Sequence, residues 1–198
     1  MELESDVNYI VSGLERSGTS LLMQILNAGE LPIGSDQSRP ADENNPKGYY
    51  ELEGGKIINK LADKSFPIEK YKGQIIKVTA FGLQFLPLGR YKIIYSERNI
   101  EEILDSMEKM MGKKDEDRNA TRDAFTKLNR MAKRLAMDRE DIDVVFVNYN
   151  KIIQDPAEDV GKIVRFLGLP ETFLEKMSSV VDTSLYRQRR PNVPVNLK

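Results

Sequence analysis

The chain has 198 residues, of which 31% are charged and 40% are hydrophobic, and its formal net charge is −1. This size and balance predict one soluble domain with a complete core, and they argue against broad binding to nucleic acid. The chain contains no cysteine and no histidine. Disulfides, a thiol nucleophile and a histidine base are therefore excluded, and any proton transfer falls to Asp, Glu, Lys or Tyr.

The N-terminal sequence and the length of the apolar runs indicate where in the cell the protein is located. No apolar run approaches the ~20 residues that cross a bilayer, and the acidic start, MELESD, does not resemble a signal peptide. We therefore expect a cytoplasmic protein without a membrane partner, folded as a single domain over residues 1–198.

Predicted strands and helices alternate along the chain. The predicted strands are runs rich in Ile and Val at 8–12, 74–79, 91–96 and 143–148. The predicted helices lie at 20–27, 49–63, 100–111, 118–137, 152–167 and 171–181. We interpret 115–137 as a helical insert and 186–198 as a basic tail. Continuous apolar strands between helices predict an α/β fold with a central, mainly parallel sheet that is flanked by helices.

A glycine-bounded loop follows the first predicted strand, in the segment VSGLERSGTSLL at 11–22. A strand, such a loop and a helix start form an anion site, because backbone N–H groups and the helix dipole point into the loop. The side chains that add donors are Arg16, Ser17, Thr19 and Ser20. This pattern predicts a three-layer P-loop-type domain.

Two features separate this loop from that of a nucleotide triphosphatase. Thr19 stands where such enzymes have a lysine, and no predicted strand ends in a clear metal-binding aspartate. We therefore interpret the loop as a site for a phosphate-like anion without a triphosphate–metal cluster. The alternative is an ordinary strand–helix turn whose hydroxyls only cap the helix.

Several stretches resemble one family. The segment ERSGTSLL at 15–22 resembles the 5′-phosphosulfate loop of the sulfotransferase family, whose bacterial members often have PRSGTS or PKSGTT. Ser106 follows Arg98 by eight residues, which is the spacing of that family's 3′-phosphate motif. NNPKGYYE at 44–51 and VNYNKIIQDPAEDVGKIVRFLGLP at 147–170 resemble two further stretches of bacterial members.

The resemblance covers about residues 8–170 and implies a donor and its contacts. The donor would be 3′-phosphoadenosine 5′-phosphosulfate (PAPS) and the product 3′-phosphoadenosine 5′-phosphate (PAP), without a metal, with a small-molecule hydroxyl or amine as acceptor. The implied donor contacts are Arg16, Ser17, Gly18, Thr19, Ser20, Arg98, Ser106, Tyr149 near the adenine, and Arg189 of the tail. For Arg98 the alternative is a surface ion pair with Glu101 or Glu102, and for the tail it is a frayed end.

The predicted catalytic residues are Glu51, Lys77 and Arg16. Lys77 matches the lysine of the family's K-T-H segment, but Thr79 replaces the histidine base of that segment. Glu51 matches a glutamate that acts as the base in some members without the histidine, although a solvated helix glutamate is the alternative. The acids ranked behind it are Glu15, Asp63 and Glu97.

The sequence favours a sulfotransferase and leaves two other functions open. One is another P-loop transferase, such as a nucleotide kinase. The other is a non-catalytic relative that binds the nucleotide. The acceptor and the oligomeric state are not predicted.

Overall fold

The computed structural model describes residues 2–36, 38–42, 45 and 47–185, and every structural statement below concerns these residues. Arg189 and the rest of the predicted basic tail, 186–198, lie outside the described residues.

A four-stranded parallel sheet forms the centre of the domain, in the order β2–β1–β3–β4. The strands are β1 (Asn8–Gly13), β2 (Ile75–Lys77), β3 (Tyr91–Glu97) and β4 (Ile142–Asn148). All four predicted strands are present, although β2 is only three residues long. The predicted mainly parallel sheet is confirmed.

Seven α-helices surround the sheet in the described part of the chain. They are α1 (Thr19–Ala28), α2 (Ile57–Ala62), α3 (Ile100–Met111), α4 (Arg118–Asp138), α5 (Tyr149–Gln154), α6 (Pro156–Phe166) and α7 (Phe173–Ser178). Short 3₁₀ turns lie at Glu53–Gly55, Ile68–Tyr71, Ala80–Phe85 and Thr183–Leu185. None of the helices in these described ranges has the length and apolar character that a membrane span needs.

Two predicted helices are wrong in extent. The helix predicted at 49–63 begins only at Ile57, because Gly54 takes a φ of 62° and the chain forms a 3₁₀ turn there instead. The helix predicted at 152–167 is divided into α5 and α6 at Pro156. Proline lacks an N–H and therefore suits the first position of a helix, which Pro156 occupies in α6. Asp155 caps this helix, since its side chain accepts from the Ala157 N–H at 3.1 Å.

The apolar residues form a core on each face of the sheet. Ile10 and Val11 are neighbours in β1 and both are fully buried, but they belong to different clusters. Val11 packs with α1, α5, α6 and α7, whereas Ile10 packs with α2, α3 and α4. Because successive side chains of a strand point to opposite faces, this double burial explains the continuous apolar runs in the sequence.

The sheet topology determines where a ligand can bind. The chain passes from β1 to β2 on one side and then crosses from β2 to β3 on the other side of β1, so the strand order reverses beside β1. Gly13 pairs with Ser96, which brings the carboxyl ends of β1 and β3 together. Ligands of open α/β sheets bind outside the carboxyl ends of the strands at such a reversal.

Candidate active site

The loop after β1 is held in place from β3. The Ser96 hydroxyl donates to the Ser17 carbonyl at 2.8 Å, and Arg98 Nη1 donates to the Arg16 carbonyl at 2.9 Å. Arg16 itself has a φ of 64°, which a non-glycine residue adopts rarely. The loop conformation is therefore imposed by its neighbours, as is common where a ligand binds.

The start of α1 is available to an anion. Its N-cap residue is Gly18, and among the described residues no side chain caps the first turn. The alternative in which loop hydroxyls only cap the helix is therefore wrong. The first N–H groups of an α-helix have no partner within the helix, so they and the helix dipole favour an anion here.

Tyr149 lies directly against this loop at the start of α5. A Cβ atom added to Gly18 would be 2.2 Å from Cδ2 of the Tyr149 ring, so only glycine fits. The buried Asp159 carboxylate accepts from the Asn148 N–H at 2.9 Å and pairs with Lys162, which anchors the end of β4 just before Tyr149. The ring is thus part of the loop's packing.

The two predicted phosphate motifs meet in space. Arg16 Nε donates to the Ser106 hydroxyl at 2.9 Å, and the Arg98 guanidinium lies 4.4 Å from the centre of the Tyr149 ring. Ser106 is only 7% exposed, so it is not a serine on a solvated face. Arg98 does pair with Glu102, at 3.2 Å, as the alternative expected, but both side chains are buried, so the expected surface location of this ion pair is wrong.

Lys77 links the loop to Glu51. Its side chain is 4% exposed, and its Nζ lies 3.0 Å from Oε1 of Glu51 and 3.3 Å from the Ser20 hydroxyl. It also donates to the Tyr49 carbonyl. Burial lowers the pKa of Lys77 below its ordinary value, and the Glu51 carboxylate opposes that change by favouring the charged amine.

Glu51 has a second cationic neighbour that the sequence did not reveal. Arg39 Nη1 lies 3.2 Å from Oε2 of Glu51, and the Arg39 guanidinium lies 3.5 Å from the centre of the Tyr49 ring. The Tyr49 hydroxyl in turn donates to Asp42 at 2.7 Å. Glu51 is 13% exposed, so it is not the solvated helix glutamate of the alternative interpretation.

These side chains line one cleft of about 340 Å³. The predicted site residues on its wall are Arg16, Gly18, Thr19, Ser20, Glu51, Lys77, Arg98, Ser106 and Tyr149. Ser17 differs: its hydroxyl is buried against Gly13, and no described residue is its hydrogen-bond partner. Predicted Arg189 lies outside the described residues. The roles of all these residues stay predictions.

The other acidic candidates for the base are placed differently. Glu15 lines the cleft but is exposed at its rim. Glu97 pairs with Lys133 of α4, and Asp63 is exposed at the end of α2, where it accepts from the Ser65 N–H at 2.9 Å.

Sequence reasoning missed Arg39 and Lys109 of the cleft, and it named Glu102 only as a surface partner of Arg98. Lys109 lies one helical turn after Ser106, and this spacing could have identified it. Arg39 lies in an irregular loop and carries no such signal. In the described part of the chain, no three acidic side chains come together as metal ligands would.

The fold and this cleft define a P-loop-type α/β domain with an anion site at the carboxyl ends of its strands. The family model described as "Sulfotransferase domain" matches residues 6–198, so the chain belongs to the sulfotransferase family, whose enzymes transfer sulfuryl groups.

Among the solved structures that are similar to this chain are three sulfotransferases. Sulfotransferase STF1 from Mycobacterium tuberculosis H37Rv is 16% identical with a TM-score of 0.54, over 93% of this chain and 74% of that one. Mouse sulfotransferase SULT7A1 complexed with PAP is 14% identical with a TM-score of 0.53, over 96% and 70%. The sulfotransferase domain of the Synechococcus PCC 7002 olefin synthase is 16% identical with a TM-score of 0.51, over 99% and 92%. At these identities the likeness shows the fold. No curated protein matches the chain.

Proposed function

We propose that this enzyme transfers a sulfuryl group from PAPS to a hydroxyl or amine of a small molecule, without a metal. The observation that carries the proposal is the contact of Arg16 with Ser106, which joins the anion loop and the second phosphate motif in the cleft that also contains Lys77 and Glu51. The mouse relative whose solved structure contains PAP supports this choice of donor.

The residues of the cleft fit that donor. The uncapped start of α1 and the hydroxyls of Thr19 and Ser20 suit the 5′-phosphosulfate, while Arg98 and Ser106 suit the 3′-phosphate. Tyr149 would pack near the adenine. When bound, PAPS supplies a sulfuryl group, whose bond to the 5′-phosphate oxygen breaks as a bond to the acceptor oxygen or nitrogen forms.

The chain's own residues have distinct roles in this proposal. Lys77 and Arg16 stabilise the negative charge that develops on the oxygen of the leaving phosphate. Glu51 accepts the proton that the acceptor loses. Lys77 lies between Ser20 and Glu51, so it holds the base at a defined distance from the sulfuryl site.

The proposed acceptor side of the cleft mixes apolar and polar side chains. We assign the acceptor to the lining residues of the cleft that have no proposed donor contact, which include Tyr49, Ile57, Ile58, Thr79 and Met110. The cytoplasmic location stays a prediction.

Donor turnover over a panel of hydroxyl and amine acceptors tests the activity. With an active acceptor, Glu51→Gln should lower turnover about 100-fold, because positioned general bases contribute roughly 10²–10⁴-fold. Glu53→Gln is the matched control, because it makes the same chemical change two residues away. Glu53 pairs with Lys60, at 2.6 Å. Undiminished turnover by Glu51→Gln would remove Glu51 from the role of base. Binding of PAP without turnover of any acceptor would favour the non-catalytic alternative.

A further inference from the structure

A buried carboxylate between Arg98 and Ser106 in the sequence lies behind the phosphate-binding arginine. We propose that Glu102 is a positioning residue, which orients the Arg98 guanidinium so that the site selects nucleotides with a 3′-phosphate. This inference rests on the proposed function and deepens its assignment of Arg98.

Glu102 is 2% exposed and is held from two sides. Its Oε2 atom accepts from Arg98 Nε at 3.2 Å and from Asn150 Nδ2 at 2.9 Å. A buried carboxylate is costly unless it is paired and hydrogen-bonded, so these contacts must persist for the charge to be tolerated there. Asn150 belongs to α5 and Glu102 to α3, so the carboxylate joins two elements that border the cleft.

The Arg98 guanidinium is fixed by contacts with three different elements. Glu102 of α3 accepts from Nε, the Arg16 carbonyl of the loop accepts from Nη1 at 2.9 Å, and the Tyr149 ring of α5 lies 4.4 Å away. A planar guanidinium with two of its edges and one face contacted has a single orientation. Bidentate recognition of a phosphate depends on that orientation, because the N–H groups have a fixed fork geometry.

The position of Glu102 on α3 separates it from the other acids of that helix. Glu102 lies one helical turn before Ser106, on the buried side of the helix that meets the loop. Glu101, Asp105 and Glu108 instead pair with Arg118 of α4, at 3.0, 2.6 and 2.9 Å. Those three acids fasten α4 to α3, whereas Glu102 serves the cleft.

Calorimetric titration with PAP and with adenosine 5′-phosphate, which lacks only the 3′-phosphate, tests the inference. We expect the wild type to prefer PAP. Glu102→Gln should lower that preference about tenfold, because the loss of a charge-assisted hydrogen bond misdirects Arg98, while the affinity for adenosine 5′-phosphate changes less than about twofold. Glu101→Gln is the matched control: it removes the same charge from the adjacent position and should leave the preference unchanged.

The outcomes separate the inference from the function on which it rests. If the wild type prefers PAP and Glu102→Gln retains that preference, the positioning role is wrong and the donor assignment stands. If the wild type does not distinguish the two nucleotides, both the Arg98 assignment and the positioning role fail. Asn150→Ala provides a second variant, should Glu102→Gln not fold. It removes the other hydrogen bond to Oε2 and should lower the preference about threefold, and an unchanged preference would overturn the inference.

Discussion

Replacing Gly18 with alanine should impair both folding and nucleotide binding, and the two effects can be measured separately. Gly18 has a φ of 104°, and an L-residue forced into the left-handed region loses about 1–2 kcal/mol of stability. The new methyl group would also lie 2.2 Å from Cδ2 of Tyr149 and 3.0 Å from Cε2. Carbon atoms in ordinary contact are about 3.5–4.0 Å apart, so the ring must move by more than about 1 Å.

That movement has a consequence for the phosphate site. The Tyr149 ring lies 4.4 Å from the Arg98 guanidinium, so a displaced ring withdraws one of the contacts that orient Arg98. We expect Gly18→Ala to lower the free energy of unfolding by about 1–2 kcal/mol and the affinity for PAP at least about tenfold, which corresponds to about 1.4 kcal/mol. Chemical denaturation and calorimetric titration measure the two effects.

Gly112→Ala is the matched control for backbone strain. Gly112 ends α3 with a φ of 67°, and no atom of the described residues lies within 4 Å of an added Cβ. Gly112→Ala should therefore lose about as much stability as Gly18→Ala loses from backbone strain, but it should bind PAP as the wild type does. In a Tyr149→Ala background the collision is absent, so Gly18→Ala should weaken PAP binding much less. Equal affinity for PAP in Gly18→Ala and Gly112→Ala would refute the reasoning.

Three further predictions concern charged side chains. Arg98→Ala should weaken PAP binding about 10–100-fold, since charge-assisted hydrogen bonds contribute roughly 1.5–3 kcal/mol; unchanged affinity in a titration would reject the 3′-phosphate assignment. Lys77→Met should lower sulfuryl transfer about 100-fold while PAP still binds, because it removes one donor aimed at developing charge; full turnover would contradict its role. A hydrogen bond from Arg139 lowers the pKa of Asp141 from 3.8 to about 2, so the stability that this carboxylate contributes is complete above about pH 4 and is lost as the pH falls through about 2. Solvent screening of this partly exposed pair reduces the expected contribution to the free energy of unfolding to about 1 kcal/mol. Asp141→Asn should remove that part of the pH dependence, as measured by denaturation at several pH values. An unchanged pH profile of stability in Asp141→Asn would disprove this contribution.

The sequence predicted the elements whose signals are local. The β-branched runs of the four strands and the glycines of the first loop are such signals, because strand burial and left-handed turns each restrict the residue types at their own positions. The eight-residue spacing of Arg98 and Ser106 is likewise a local pattern that can be seen in the sequence. Most of the site residues found from the sequence therefore lie in a strand or just after one, whereas Ser106 lies within α3 and Glu51 was found only through the resemblance of NNPKGYYE.

The remaining features depend on contacts between distant segments. Arg39 reaches Glu51 only because the loop that contains it folds back over the Tyr49 ring. Tyr50 and Glu53 both have a φ of 52°, a conformation that their residue types do not indicate, so the predicted helix at 49–63 was too long. Glu102 could not be distinguished from Glu101 without knowing which side of α3 faces the loop.

A comparison of the affinities for two nucleotides tests the central claim most directly. The claim is that this cleft binds a 3′-phosphorylated adenosine phosphosulfate and not a triphosphate with a metal. Calorimetric titration of the wild type with PAP, and separately with ATP and Mg²⁺, should show tighter binding of PAP, and Arg98→Ala should abolish the difference. Tighter binding of ATP with Mg²⁺ would contradict the claim and favour a nucleotide kinase.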